Sequence, residues 1–250
     1  MPNCPDWLTA RPIAHRGLHD RAAGLVENTM PAFDAAIERD FAIELDVQLT
    51  SDGKAVVFHD HVLDRLTAEM GPVVERTARD LTQIEVTGAG ATIDTLASVV
   101  SRVDGRVPLV VEIKSRFDGD MRLADAVVGT LKDYQGPAAI ITFDPDVMTR
   151  VAKHKTGRPL GIVAARMGWP HWMELSAWQR FVFGALIHPA ALRADFVSYD
   201  QSSLPAFSSL MAKYIGRKAL ISWTIKDQAT ADRLRPYVDQ ITFEGFAPHV

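Results

Sequence analysis

The stretch Phe41-Ala-Ile-Glu-Leu-Asp-Val-Gln-Leu-Thr-Ser-Asp-Gly-Lys-Ala-Val-Val-Phe-His-Asp60 decides how this chain is read. Residues 41–50 alternate well enough for a strand, and 54–58 form a second apolar run. Asp52-Gly53 lies between them, and an Asp-Gly pair flanked by apolar runs is a strong hairpin signal. A two-residue turn there predicts that Asp46 faces His59 across the hairpin, with Glu44 two residues away on the face of Asp46. A slip of one residue in the turn would undo that pairing.

Two carboxylates on one face are costly. At about 4 Å they repel by roughly 4 kcal/mol at an effective dielectric near 20, so a buried pair needs a cation or a proton. A third acid comes from Leu109-Val-Val-Glu112-Ile-Lys114, an apolar run that reads as a buried strand. Glu112 and Lys114 share a face, which offers one metal ligand and one phosphate partner. Three carboxylates favour a hard divalent ion, Mg2+ or Ca2+, over zinc. Upstream lie His15-Arg16-Gly17 and Glu27-Asn28-Thr29, so these motifs together hold two imidazoles, His15 and His59. Histidines, an arginine and acids in strand-like sequence are what metal-assisted phosphoester chemistry requires.

Short apolar strands alternate with helical patterns along the remaining chain, which predicts a parallel β/α architecture. Strands are expected at 12–15, 42–47, 109–114, 138–142, 160–163, 196–199, 219–224 and 240–243. Helices are expected at 30–39, 94–103, 119–134, 145–155, 204–214 and 227–235. At 250 residues the chain has the size of a single-domain (β/α)8 TIM-type barrel. Residues 55–58 would then be a short antiparallel return strand. Two stretches depart from the alternation: a small excursion at about 61–107, and an aromatic-rich one at 166–195 that carries Trp169, Trp172 and Trp178.

A formal charge of −4 and no basic tract give no sign of nucleic-acid binding. The single cysteine, Cys4, excludes an internal disulfide and a multi-cysteine zinc site. With no signal segment and no long uncharged apolar run, a cytoplasmic protein is expected. His19, His61, His154, His171, His188 and His249 lack acid partners nearby in sequence and read as surface or capping residues.

These motifs together resemble the glycerophosphodiester phosphodiesterase family, one of the phospholipase-C-like phosphodiesterases built on a (β/α)8 barrel. The matching residues are His15-Arg16-Gly17, Glu27-Asn28-Thr29, Glu44-x-Asp46-Val47-Gln48, Thr50-x-Asp52-Gly53, His59-Asp60 and Glu112-x-Lys114. Ile93-Asp-Thr-Leu96, Thr142-Phe143-Asp144-Pro145 and Ser222-Trp223-Thr224-Ile225 are weaker matches. The resemblance implies Glu44, Asp46 and Glu112 as divalent-metal ligands and His15 and His59 as an acid–base pair. It implies Arg16 and Lys114 as phosphate contacts and Trp223 as an aromatic lining the cleft. Glu27 and Asn28 have supporting places, and Glu244, ending the last strand, could reach the barrel mouth.

The implied substrate is a small glycerophosphodiester, cleaved to glycerol 3-phosphate and an alcohol through a cyclic phosphate. The alternatives are lysophospholipase-D-like cleavage of acyl-bearing lysophospholipids and a non-catalytic phosphate-ligand binding protein on the same scaffold. Membrane contact through 166–195 is the minority reading of that stretch, and the oligomeric state is not fixed by sequence. The chain departs from the family where Lys226 replaces a frequent asparagine, and where Thr242-Phe243-Glu244-Gly245 replaces a threonine-aspartate-x-proline ending.

Overall fold

Strand β2 (Ala42–Leu49) is the organising element: it is buried along its whole length and pairs with three other strands. The structure, a computed structural model, describes residues 4–166 and 175–249. In chain order the elements are β1 (Ile13–Ala14), α1 (Met30–Glu38), β2, β3 (Ala55–Val57), α2 (Ala78–Leu81), β4 (Glu85–Val86), β5 (Ala91–Thr92), α3 (Leu96–Val103) and β6 (Leu109–Ile113). There follow α4 (Arg122–Leu131), β7 (Ala138–Thr142), α5 (Pro145–Lys153), β8 (Leu160–Ala164), α6 (Ala177–Gly184) and α7 (Pro189–Arg193). The chain ends with β9 (Phe196–Asp200), α8 (Phe207–Tyr214), β10 (Ala219–Ile225), α9 (Gln228–Leu234) and β11 (Gln240–Phe243).

The parallel strands run in the order β1-β2-β6-β7-β8-β9-β10-β11, and β1 pairs with both β11 and β2, so the sheet closes into a TIM barrel. Side chains alternate across its wall. Ile43, Leu45, Val47, Leu109, Val111 and Ile113 pack outward against the helices. Ile13, Val110, Ile141, Val163, Phe196 and Ile221 fill the interior. Phe196 is fully buried there, and truncating such a ring to alanine costs about 3–5 kcal/mol.

Helix starts follow their chemistry. Asp144 accepts hydrogen bonds from the Asp146 and Val147 N–H groups, with Pro145 at the first helical position of α5. Thr29 precedes α1, but its hydroxyl donates to the Val26 carbonyl instead of capping. Among the described residues no helix is long and apolar enough to cross a membrane.

Strand β3 joins β2 because β1 is too short to cover it. Strand β1 pairs with Ala42 and Ile43, leaving the far half of that edge free for an antiparallel partner. The register is Val47–Val57, Gln48–Val56 and Leu49–Ala55, one residue away from the expected pairing of Asp46 with His59. The turn has three residues, not two. Thr50 N–H donates to the Lys54 carbonyl at 3.0 Å, and Gly53 takes a φ of +75°, a conformation that favours glycine. Asp52 does not sit in the tight turn as a free side chain. Its carboxylate accepts from the Thr50 hydroxyl at 2.7 Å and from the Ala78 N–H at 2.9 Å, which ties the turn to α2.

The excursion that follows has an apolar centre of its own, with Phe58, Leu63, Leu66, Val73, Leu81, Val86 and Ile93 around the β4–β5 pair. In the second irregular stretch Trp169, Trp172 and His171 lie outside the described residues. Helix α6 there exposes Trp178 and Phe181, and Phe183 stacks on Phe117.

Candidate active site

Glu44 and Asp46 project inward from β2, and Glu112 lies beside Asp46 in the neighbouring β6. All three are buried, and one carboxylate oxygen from each lies within 4.8 Å of the others. Their burial has opposite electrostatic outcomes. Burial, and then the charges of Asp46 and Glu112, push Glu44 well above the usual carboxylate range. Burial would raise Asp46 as well, but Lys114 and Arg16 outweigh it and hold that carboxyl well below its range.

The contacts explain the difference. Lys114 Nζ lies 2.8 Å from Asp46 Oδ1 and 2.5 Å from Glu112 Oε1. Arg16 Nε lies 3.1 Å from Asp46 Oδ2, and the Asn28 amide donates to the same oxygen at 2.8 Å. Glu44 has the Arg16 backbone N–H on Oε2 at 2.9 Å. Its buried Oε1 accepts no hydrogen bond among the described residues. A buried carboxylate oxygen without a donor, beside two other acids, fits a divalent cation. The all-oxygen donor set favours a hard ion of the Mg2+ or Ca2+ kind.

Backbone geometry aims the groups around this trio. Arg16 and Asn28 both adopt positive φ, +56° and +57°. Gly17, at +82°, lets that turn press on α1, since a Cβ would sit 2.9 Å from the Ala32 backbone.

Two imidazoles lie near the acids, His15 with its Nε2 3.9 Å from Glu44 Oε2 and His59 close enough to act on Asp46, and each has its Nδ1 on a carboxylate. His15 Nδ1 is 2.6 Å from Glu244 Oε2, and His59 Nδ1 is 2.6 Å from Asp60 Oδ1. Burial pushes His15 down despite the Glu244 contact. Each supporting acid is itself held by a cation: Lys226 Nζ is 2.8 Å from Glu244 Oε1, and Arg65 Nε is 2.6 Å from Asp60 Oδ2. Arg65 also reaches Glu27 at 2.8 Å, and Glu27 in turn holds Arg16 at 2.7 Å. Trp223, near the end of β10, packs edge-on to Phe143 at 5.5 Å between ring centroids. His15 and Arg16 follow β1, Lys114 follows β6 and Glu244 follows β11. Glu44 in β2 is level with His15 because Ala14 pairs with Ile43, which puts the group at the C-terminal side of the barrel, where TIM-barrel active sites sit.

The sequence profile of the glycerophosphoryl diester phosphodiesterase family matches residues 15–238. The chain belongs to this family. YhdW of Bacillus subtilis (strain 168) is 38% identical over 234 residues, 89% of each chain. The glycerophosphodiester phosphodiesterase of Caldanaerobacter subterraneus subsp. tengcongensis is 34% identical over 137 residues, covering 52% of this chain and 55% of that enzyme. Among solved structures, an Oleispira antarctica phosphodiesterase in complex with sn-glycerol-3-phosphate has a TM-score of 0.76 at 21% identity, over 93% of this chain and 92% of that one. The glycerophosphodiester phosphodiesterase of Thermotoga maritima has a TM-score of 0.71 at 23% identity, over 93% and 94% of the two chains. This glycerophosphodiester phosphodiesterase thus has the fold of its family as well as its sequence pattern.

All the acids and both histidines that the sequence singled out come together at the barrel mouth. His59 does so by another route than strand pairing. The chain leaves β3 after Val57, the His59 carbonyl accepts from Gln48 Nε2 at 2.7 Å, and the imidazole lies close enough to lower Asp46. His19, expected at the surface or as a cap, instead lies with its Nε2 3.6 Å from Glu244 Oε2. Its partner is 225 residues away in sequence, so only its spacing four residues after His15 could have hinted at it. His188 does cap, accepting from the Ala191 N–H in front of α7. Arg65 was not singled out, because nothing in its neighbourhood announces a bridge between Glu27 and Asp60. Lys226 and Glu244, the two departures from the family pattern, are partners of each other.

Proposed function

We propose that the enzyme hydrolyses glycerophosphodiesters to glycerol 3-phosphate and an alcohol, using His15 and His59 as its proton-transfer pair. The observation that carries this reading is the matched arrangement of the imidazoles. Each is fixed through Nδ1 to a carboxylate, and both lie close enough to a buried three-carboxylate cluster to act on the charge of Asp46. Fixing Nδ1 orients the ring and leaves Nε2 for the substrate.

Glu44, Asp46 and Glu112 would hold a divalent cation. When bound, it offsets the charge of the diester's non-bridging oxygens, which otherwise repel an incoming nucleophile. Arg16 and Lys114 add positive charge at the same place, where the transition state gains negative charge. One histidine takes the proton from the glycerol 2-hydroxyl as that oxygen bonds to phosphorus. The other gives a proton to the alcohol oxygen as its bond to phosphorus breaks. Water then opens the cyclic phosphate with the two roles reversed. Each proton transfer by a positioned imidazole contributes about 10²–10⁴-fold. Trp223, near the end of β10, would line the cleft as an aromatic contact for the substrate.

The test is glycerol 3-phosphate release from glycerophosphocholine, glycerophosphoethanolamine, glycerophosphoinositol, glycerophosphoglycerol and a lysophospholipid, each with EDTA, Mg2+ and Ca2+. Release from an unacylated diester, abolished by EDTA and restored by metal, is expected, with a transient cyclic phosphate visible by phosphorus NMR. Release that EDTA leaves untouched would overturn the metal-assisted mechanism. A second reading has one observation in its favour: Trp178 and Phe181 are exposed on α6, at 69% and 46%. Turnover of the lysophospholipid alone, lost in a Trp178→Ser/Phe181→Ser variant, would replace the main reading with lysophospholipase-D-like cleavage.

A further inference from the structure

His15, His19 and Glu244 offer three ligand atoms within 4.8 Å of one another, separate from the acids of β2 and β6. Glu244 Oε2 stands between two imidazole nitrogens, 2.6 Å from His15 Nδ1 and 3.6 Å from His19 Nε2. The three side chains are 14–22% exposed, so the cluster is partly shielded yet open to a small ion. His19 Nε2 is itself buried and has no hydrogen-bond partner among the described residues. Lys226 occupies the other oxygen, Oε1, and leaves Oε2 facing the imidazoles.

We propose that these residues form a binding site for a borderline-soft transition metal of the Zn2+ class, and that filling it switches the enzyme off. Zinc binds nitrogen at about 2.0–2.1 Å and carboxylate oxygen at about 2.0–2.2 Å. Tetrahedral ligands then lie about 3.4 Å apart, between the two separations found here. Two imidazoles and a carboxylate with an open fourth position make a donor set that suits zinc, whereas the all-oxygen trio suits Mg2+ or Ca2+. The barrel mouth thus sorts two kinds of cation by ligand softness.

The consequence for the reaction lies in the imidazole's protons. With its Nδ1 lone pair on a metal, His15 keeps its remaining proton on Nε2. It then has no lone pair with which to accept another and is silenced as a base. Burial favours the neutral form of His15, the form that ligates. The effect on turnover rests on the proposed role of His15; the binding itself does not.

The experiment uses the whole protein in excess Mg2+, which keeps the oxygen site filled. Co2+, a visible stand-in for zinc, is titrated and followed by its d–d absorption, then displaced with Zn2+. One equivalent of nitrogen-ligated Co2+ is expected, and Zn2+ should inhibit turnover without competing against Mg2+. His19→Ala and His19→Gln should each weaken Co2+ binding by at least about tenfold and raise the half-inhibiting Zn2+ concentration by the same factor, with Mg2+-supported turnover retained. Unchanged binding and inhibition in both variants would overturn the proposal, as would a wild type that binds no Co2+ under excess Mg2+. If no diester is turned over, the absorption titration still reads the site, so the two proposals fail separately.

Discussion

A carboxylate gripped by two guanidinium groups holds its charge to lower pH than one in water, and Glu27 is such a group. Although burial opposes it, hydrogen bonds from Arg65 and the charge of Arg16 bring its pKa down to about 2 from an ordinary 4.5. The depressed value fixes the sign of the pH dependence. The stabilisation is fully present above about pH 4.5 and is lost as the pH falls through about 2. Glu27→Gln should therefore lower unfolding free energy at pH 7 by an amount of order 2–3 kcal/mol, and the gap to wild type should close toward pH 2. Urea unfolding at a series of pH values measures it; a gap that persists at pH 2 would mean packing, not charge. His59 calls for a different readout. Its imidazole is at the mouth, outside the apolar clusters, so His59→Ala should cut turnover by about 10²–10⁴-fold while far-UV and near-UV circular dichroism stay as in wild type. Near-normal turnover would remove His59 from the mechanism.

At the scale of elements, the excursion that follows Asp60 reaches the site through Arg65. Arg65 bonds Asp60, which orients His59, and Glu27, which holds Arg16. It thereby joins the proposed proton-transfer group His59 to the proposed phosphate contact Arg16. At 43% exposure it contributes little to the core. Arg65→Ala should thus lower kcat by about tenfold or more with only a small loss in Tm, and Arg65→Lys should recover little, because one ammonium cannot bridge two carboxylates as a planar fork does. Steady-state kinetics beside thermal melts separates this from simple destabilisation. The same elements indicate what sequence can carry. The eight barrel strands were legible because each is an apolar run with a fixed period, and Glu44, Asp46 and Glu112 followed from which face each residue takes. The hairpin register was not. It depends on whether Asp-Gly makes a two- or three-residue turn, and Asp52 is drawn out by the Thr50 hydroxyl and the Ala78 N–H of a helix that the local sequence does not reveal. Glu244, His19 and Arg65 were hard to read for a related reason. Their partners meet them only when the barrel closes β11 onto β1 or when the excursion folds back.

For the molecule as a whole, the acid cluster stores a repulsion that the barrel must hold closed. Lys114 and Arg16 neutralise Asp46, but Glu44 has a buried oxygen with no donor among the described residues and a carboxyl pushed upward by burial and its acidic neighbours. A cation bound across β2 and β6 would relieve that repulsion only in the folded chain, so it must stabilise the fold. At a concentration a hundred times its Kd the gain is about 2.7 kcal/mol, which for a chain of this size is a rise in Tm of roughly 5–10 °C. Glu44→Gln separates the two halves of this account. Removing the charge should leave the metal-free variant as stable as wild type or more so, because a repulsive carboxylate has gone. It should also abolish most of the rise in Tm on adding Mg2+ or Ca2+, because a ligand has gone. Calorimetric melts of both proteins, in EDTA and in metal, test the two effects at once. A metal-free variant that melts well below wild type would show that Glu44 supports the fold by packing. An undiminished metal-induced rise would place the cation elsewhere.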